Sequence, residues 1–298
     1  MEQQENPTTE VKQGFFQSTT AKMIMVGFLT LVLLIPLFFV QDLISERSMR
    51  QKEVTEEVST LWGKEINFYG PILRIPYKTY KETTIYDSKT KTTSIQKNST
   101  LEYAYFFPEK LNNNSEVKKD TSLKRGIYDN IVFTANMSFD GNFGKPNFEK
   151  LNIKEEDAIV VKTTNLKSIK SDLKINLNNS SLAFEAKPDE DNYYGVLETN
   201  NFDYKTMQKS ERINFKFNMQ YNGSKSIEFI PIGKTTSVSM NSDWESPSFF
   251  GSFAANNTTK KVDKKGFHAD WKVLDINRSF SQQYAGKIPN LKEYSFGA

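Results

Sequence analysis

The side chains best suited to chemistry are few, and their spacing argues against most catalytic arrangements. His268 is the sole histidine and cysteine is absent. A thiolate nucleophile and a multi-histidine or cysteine metal site therefore cannot be assembled, and a Ser-His-Asp triad is not expected. His268 stands between Phe267 and Trp271 on an apparent strand, where it reads as a structural polar residue. Carboxylates are plentiful, and a glycoside-cleaving site needs only two of them, but separation along the chain does not fix separation in space. The run Asp189, Glu190 and Asp191 offers oxygen ligands to calcium, yet it lacks the regular ligand spacing and turn glycine of a calcium loop. A solvated turn is the favoured reading. No catalytic residue, cofactor or metal is expected, and the chain reads as a non-enzyme.

Two motifs suit packing or recognition better than catalysis. In the first, Pro247 and Gly251 shape a corner while Trp244, Phe249, Phe250 and Phe253 supply large apolar surfaces. Its favoured role is a turn capping the core. The alternative is an aromatic patch docking on a partner or on a transmembrane bundle. Burial of Phe249 and Phe250 separates the two. The second motif, Gly70-Pro71, marks a turn into extended structure and has the same pair of readings, the architectural one preferred.

The elements that must carry these motifs follow from composition. With 39 basic and 36 acidic side chains the net charge is only +3, and no polybasic block is present, which sets nucleic acid aside. The 23 Phe and 13 Tyr, beside frequent Thr, Ile and Val, favour pleated strands. Residues 23–40 carry no charge and only Thr30 as a polar side chain. As a helix they reach about 27 Å, close to the hydrocarbon thickness of a bilayer. Pro36 is tolerable there as a kink. A cleaved signal peptide is disfavoured, because the apolar run is long and passes into Gln41, Asp42 and Leu43 without small residues at a cleavage site. Lys12 and Lys22 before the span are balanced by Arg47, Arg50 and Lys52 after it, so charge leaves the orientation open.

The predicted organisation is an N-terminal tail over 1–22, a transmembrane helix over 23–41, a juxtamembrane helix over 42–62 that Gly63 can stop, and a β-rich domain over 63–298, the tail cytoplasmic and the domain periplasmic if the family resemblance given below holds. Strands are predicted over 72–77, 83–86, 101–107, 127–139, 158–163, 173–177 and 182–186 in the first half. In the second they fall over 194–199, 212–221, 226–230, 235–240 and 266–274. Tyr221-Asn222-Gly223-Ser224 predicts a tight hairpin, residues 148–157 a short helix, and 112–119 and 256–265 polar loops. The expected fold is mainly β, a large antiparallel β-sandwich-like extracytoplasmic domain rather than a closed barrel.

Five blocks carry a resemblance that covers nearly the whole chain. They are the anchor with Ile44-Ser45-Glu46-Arg47, then Tyr69-Gly70-Pro71-Ile72-Leu73-Arg74-Ile75-Pro76-Tyr77, then Lys124-Arg125-Gly126-Ile127-Tyr128, then the stretch from Ser242-Asp243-Trp244 through Phe249-Phe250-Gly251-Ser252-Phe253, and last Gly266-Phe267-His268-Ala269-Asp270-Trp271. In order and spacing they resemble the CreD family, bacterial inner-membrane proteins of cell-envelope integrity. The resemblance implies an N-terminus inside, single-pass insertion of this chain in the inner (cytoplasmic) membrane, a periplasmic β domain, and a role in envelope integrity or stress response. It also implies a further bundle of transmembrane helices, and since no stretch after Val40 has the needed apolar length, the chain is expected to be a fragment. The expected partners are the lipid bilayer and other envelope proteins or that missing bundle. A membrane-anchored extracytoplasmic sensor or ligand-binding module is the alternative, and a carboxylate-dependent hydrolase of envelope polysaccharide a third reading.

Overall fold

The computed structural model describes residues 18–89, 91–120, 124–125, 128–129, 132–146, 152–153, 158–188, 194–200 and 211–298. The chain divides into two units, Met1–Glu56 and Glu57–Ala298. Helix α1 (Thr19–Trp62) fills the described part of the first and ends in the second. Pro36 is accommodated inside it without a break, and the Thr30 hydroxyl donates to the Val26 carbonyl at 2.9 Å. Between Met23 and Val40 the large apolar side chains are 40–71% exposed. A helix apolar on every side and exposed on every side is matched to lipid rather than to water, and by length and composition α1 is a candidate membrane span.

In the second unit the Gly63 amide closes the helix on the Ser59 carbonyl at 2.9 Å. Strands then follow in order: β1 (Ile66–Asp87), β2 (Thr92–Phe106), β3 (Lys110–Asp120), β4 (Lys124–Arg125), β5 (Tyr128–Asp129), β6 (Val132–Phe143), β7 (Asn152–Ile153), β8 (Ala158–Thr163), β9 (Lys174–Leu177) and β10 (Ser180–Lys187). The remainder are β11 (Gly195–Thr199), β12 (Ile213–Gly223), β13 (Ile227–Phe229), β14 (Thr235–Ser242), β15 (Phe250–Gly251), β16 (Lys261–Asp263), β17 (Gly266–Leu274), β18 (Gln283–Ala285) and β19 (Phe296–Gly297).

One sheet runs β18-β2-β1-β8-β11-β10, with β13, β19 and β15 added beside the start of β1. The other runs β16-β17-β14-β3-β6-β12-β9-β10. Strand β10 serves both. Only β1 with β13 and β14 with β3 pair in parallel among the described residues. The two inner faces share one core, in which Phe68 of β1 stacks on Phe139 of β6 at 4.2 Å and Phe139 on Phe217 of β12 at 4.7 Å. The unit is thus mainly β and mostly antiparallel, as its composition predicts.

Period two explains which residues turn inward. In β12, Ile213, Phe215, Phe217, Met219 and Tyr221 are buried while Asn214, Lys216 and Asn218 face solvent. Several expectations are corrected. Residues 112–119 are no loop but most of β3, because β6 and β14 satisfy both of its edges and Asn114, Glu116 and Lys118 alternate outward. Asn222-Gly223 makes no hairpin, for β12 pairs with β6 and β9 while β13 pairs with β1 and β19. Its glycine serves close packing instead, since a Cβ there would lie 2.5 Å from the Phe133 ring. Within 148–157, Asn152–Ile153 form a strand against Tyr77 and Lys78, and the rest lies outside the described residues. Of 256–265, Lys261–Asp263 form β16.

The predicted runs 72–77 and 83–86 belong to one 22-residue strand, β1. Beyond Lys78 it pairs, among the described residues, only with β2, forming a two-stranded ribbon. Tyr80, Tyr86, Ile95 and Leu101 share one face of that ribbon by register and are 57, 62, 63 and 51% exposed.

Candidate functional site

The motif from Trp244 to Phe253 follows β14 and leads through β15, which pairs with β19. The segment is pinned at both ends. The Lys119 amide donates to the Asp243 carboxylate at 2.8 Å, and the Ser252 amide to the Ser295 carbonyl at 2.9 Å. Gly251 holds φ +98°, and a Cβ there would sit 2.2 Å from the Ser295 oxygen, so the approach of β15 to β19 requires glycine.

The two adjacent phenylalanines divide the two readings of this motif. Phe249 is half-buried, edge-on to Phe267 at 5.4 Å and to Trp271 at 5.8 Å, with the Lys260 ammonium 5.6 Å from its ring. Phe253 meets Phe296 edge-on at 5.9 Å. Phe250, by contrast, is 38% exposed. It lines a groove of about 230 Å³ with Trp244, Pro247, Phe133, Ile227 and Met240, whose rim carries Ser224, Ser246 and Ser248. Phe249 and Phe253 therefore cap the core, while Trp244, Pro247 and Phe250 form an apolar groove open to solvent.

Gly70 and Pro71 are buried inside β1, not at its entrance. The Gly70-Pro71 peptide is cis. From Tyr69 to Ile72 the strand takes three steps while β8 takes two, from Lys162 to Val160, so the pair forms a bulge. Proline, lacking an N–H, is at home where the ladder is interrupted.

His268 is held on the outer face of β17, Nδ1 2.7 Å from the Asn241 side-chain oxygen and Nε2 2.9 Å from Asp270. Desolvation alone would raise the Asp270 pKa, but hydrogen bonds from the Ser239 hydroxyl and the His268 ring outweigh it and hold the carboxyl below its usual value. The acidic run Asp189, Glu190 and Asp191 lies outside the described residues. Among the described residues no cluster of three or more metal-capable side chains forms. The feature that sequence reasoning missed is the ribbon face with Tyr80, Tyr86, Ile95 and Leu101, whose register emerges only once β1 and β2 are paired.

The family model described as inner membrane protein CreD matches residues 18–298. A curated relative from Escherichia coli K12, named inner membrane protein CreD, is 22% identical over 267 residues, covering 86% of this chain and 55% of its own. The chain thus spans about half the length of that relative. A crystal structure from Legionella pneumophila, of a protein described as nutrient binding, superposes with a TM-score of 0.31 at 7% identity, over 60% of this chain and 68% of the other. That likeness is too slight to bear on the fold or a ligand.

Proposed function

This chain belongs to the CreD family of inner membrane proteins, and from that premise we propose a non-enzymatic, membrane-anchored protein whose β-rich unit lies in the periplasm and contacts other components of the cell envelope. The contact role is supported by the β1–β2 ribbon, on one face of which Tyr80, Tyr86, Ile95 and Leu101 are exposed on either side of the Lys97–Glu82 ion pair. The groove beside Phe250 supplies a second apolar surface on the same unit. The exposed helix between Met23 and Val40 supports anchorage in lipid.

The absence of cysteine makes the test clean, because a single introduced thiol is the only one in the chain. Ser94→Cys, on the ribbon, is expected to react with a membrane-impermeant maleimide in intact spheroplasts. Labelling only after lysis would place the unit inside and overturn the orientation. A photocrosslinker at Tyr86 is expected to give adducts with envelope proteins. A deletion strain with normal membrane integrity and normal envelope-stress sensitivity would overturn the role itself.

A second reading, a ligand-binding module, is favoured by one specific observation, a cavity of about 850 Å³ beside Tyr69.

A further inference from the structure

The outer face of the sheet that holds β3, β6 and β12 is paved with amides. Across β17, β14, β3, β6 and β12 the residues Ala269, Met240, Ser115, Met137 and Met219 form one buried row, and by alternation the rows on either side of it turn outward. One of these is His268, Asn241, Glu116, Asn136 and Gln220. The other is Asp270, Ser239, Asn114, Ser138 and Asn218. Every position in the two rows is polar, and half are asparagine or glutamine. Asparagine is depleted in strands, where threonine and other branched residues are favoured. The exposed β1–β2 ribbon beyond Lys78 obeys that preference, with Thr79, Thr83, Thr84, Thr93 and Thr100 against Asn98 as its one asparagine. A cross-strand cluster that local propensity opposes is the pattern expected of a functional surface.

This face is hollowed, and its amides are idle. The Lys170 amide donates to the Gln220 carbonyl at 2.9 Å and the Gln220 amide to the Ser171 hydroxyl at 3.3 Å, so residues 170–172 close the edge of β12. Ser171 and Asp172 then wall a hollow of about 760 Å³ whose floor holds Asn114, Asn136, Asn218 and Gln220. A second hollow of about 370 Å³, reaching His268, shares Glu116 and Asn241 with the first. Together they make one groove across five strands, roughly 19 Å at the usual strand spacing of about 4.8 Å. Among the described residues the side-chain amides of Asn114, Asn136, Asn218 and Gln220 make no hydrogen bond to protein, so each has two donors and an acceptor to offer. No lysine or arginine lines the larger hollow among the described residues, whereas Glu116 and Asp172 do, and Lys118 answers Glu116 at 3.2 Å. A phosphate-bearing ligand finds no cation in the larger hollow, and a peptide finds neither an open strand edge nor an apolar pocket. A sugar hydroxyl donates and accepts at one oxygen, which an amide answers in both directions and a carboxylate answers as acceptor.

We infer that this groove binds an uncharged glycan chain laid across the strands, with Asn114, Asn136, Asn218 and Gln220 hydrogen-bonding its hydroxyls and Glu116 and Asp172 accepting from neighbouring ones. The groove shares no lining residue with the cavity beside Tyr69 or with the ribbon, so a failure here leaves the readings of those surfaces standing.

The test uses the full chain in a polyoxyethylene detergent, which carries no sugar, with cellotetraose, chitotetraose, glucose and tetraserine as probes in calorimetry and saturation-transfer NMR. Binding of either tetrasaccharide, tighter than that of glucose, is expected, because a single ring cannot span the groove. Asn136→Val and Asn218→Val place a branched strand former at exposed positions, so neither is expected to lower the melting temperature. Each is expected to weaken the tetrasaccharide about twofold to tenfold, the range for one net hydrogen bond. Asn98→Val, the same change on the ribbon, is expected to leave binding as it was. No binding of either tetrasaccharide, indifference to both groove substitutions, or an equal loss with Asn98→Val would overturn the site. Glucose bound as tightly as the tetrasaccharides would overturn the extended chain as occupant, and displacement of the bound sugar by an equal concentration of tetraserine would overturn the glycan in favour of a peptide.

Discussion

Truncating Phe249 and Phe250 one at a time should give unequal losses of stability, although the two are chemically identical neighbours. A buried Phe→Ala change costs about 3–5 kcal/mol. Phe249 is half-buried, which lowers the transfer contribution, but it also loses two edge-to-face contacts, with Phe267 and Trp271, each worth about 0.5–1.5 kcal/mol. Phe249→Ala should therefore cost about 2–3 kcal/mol. Phe250 is 38% exposed and packs on one side only, so Phe250→Ala should cost about 1 kcal/mol or less. In a unit the size of residues 57–298 each kcal/mol lowers the melting temperature by about 2–4 °C. The expected drops are then about 5–10 °C for Phe249→Ala and no more than about 4 °C for Phe250→Ala. Thermal unfolding of the full chain in neutral detergent, followed by far-ultraviolet circular dichroism, measures both. Equal drops, or a larger one for Phe250→Ala, would refute the division of this motif into a capping half and a groove half.

Gly251→Ala forces a side chain into a left-handed backbone and against the Ser295 oxygen, so it should destabilise the unit by at least about 2 kcal/mol in the same melt. Arg74 and Glu198 form an ion pair with side chains 22 and 12% exposed, and Arg74→Met should cost about 2–4 kcal/mol by stranding the carboxylate, with Arg74→Met/Glu198→Leu recovering at least half of that in a double-mutant cycle. Because the folded pKa of Asp270 lies below its unfolded value, its contribution is present above the ordinary aspartate pKa and is lost as pH falls through the folded one; the stability gap between wild type and Asp270→Asn, measured by denaturant titration, should close in acid and stay open near neutrality. Leu33→Arg with Leu34→Arg places two charges in the apolar span at about 2.5–3.5 kcal/mol each, and carbonate extraction should then recover the chain with the soluble proteins instead of the membranes.

What could be read from the sequence depended on how local the cause was. The apolar span needs only consecutive residues, so its composition sufficed. Strands β8 and β17 match their predicted bounds, 158–163 and 266–274, since each is an apolar or alternating run with polar residues or glycine at its ends. Strand β3 was invisible as a strand for the opposite reason. Its inward positions include Asn113 and Ser115, which bond to each other at 2.6 Å, and only Leu111 and Val117 announce a buried face. The neighbours β6 and β14 impose extended structure on it, and no propensity within 112–119 records their presence. Asn222-Gly223 misled because glycine has two uses, positive φ and the lack of a side chain, and a dipeptide does not say which one the fold requires.

The sites obey the same logic at longer range. Pro247, Gly251 and the aromatics around them could be recognised as a corner from residue types alone, but which ring turns inward is decided where β15 meets β19, and β19 lies far along the chain. The cavity beside Tyr69 is more distant still from any local signal. Its phenols and ammonium groups come from β1, β8, the approach to β11 and the segment from Tyr284 to Lys292, and of these only Tyr69 adjoins a motif conspicuous in the sequence. Period two tells which face of a strand a residue occupies, yet it is silent on which strand lies beside it. A site assembled across strands is therefore defined by register, and in this sheet the register of Tyr69 against Lys162 is set by the one-residue bulge at Gly70-Pro71. Removing that bulge would slip β1 by one residue and exchange Tyr69 with a core position, so the motif that looked merely architectural is what keeps a hydroxyl, and not an apolar side chain, facing the cavity.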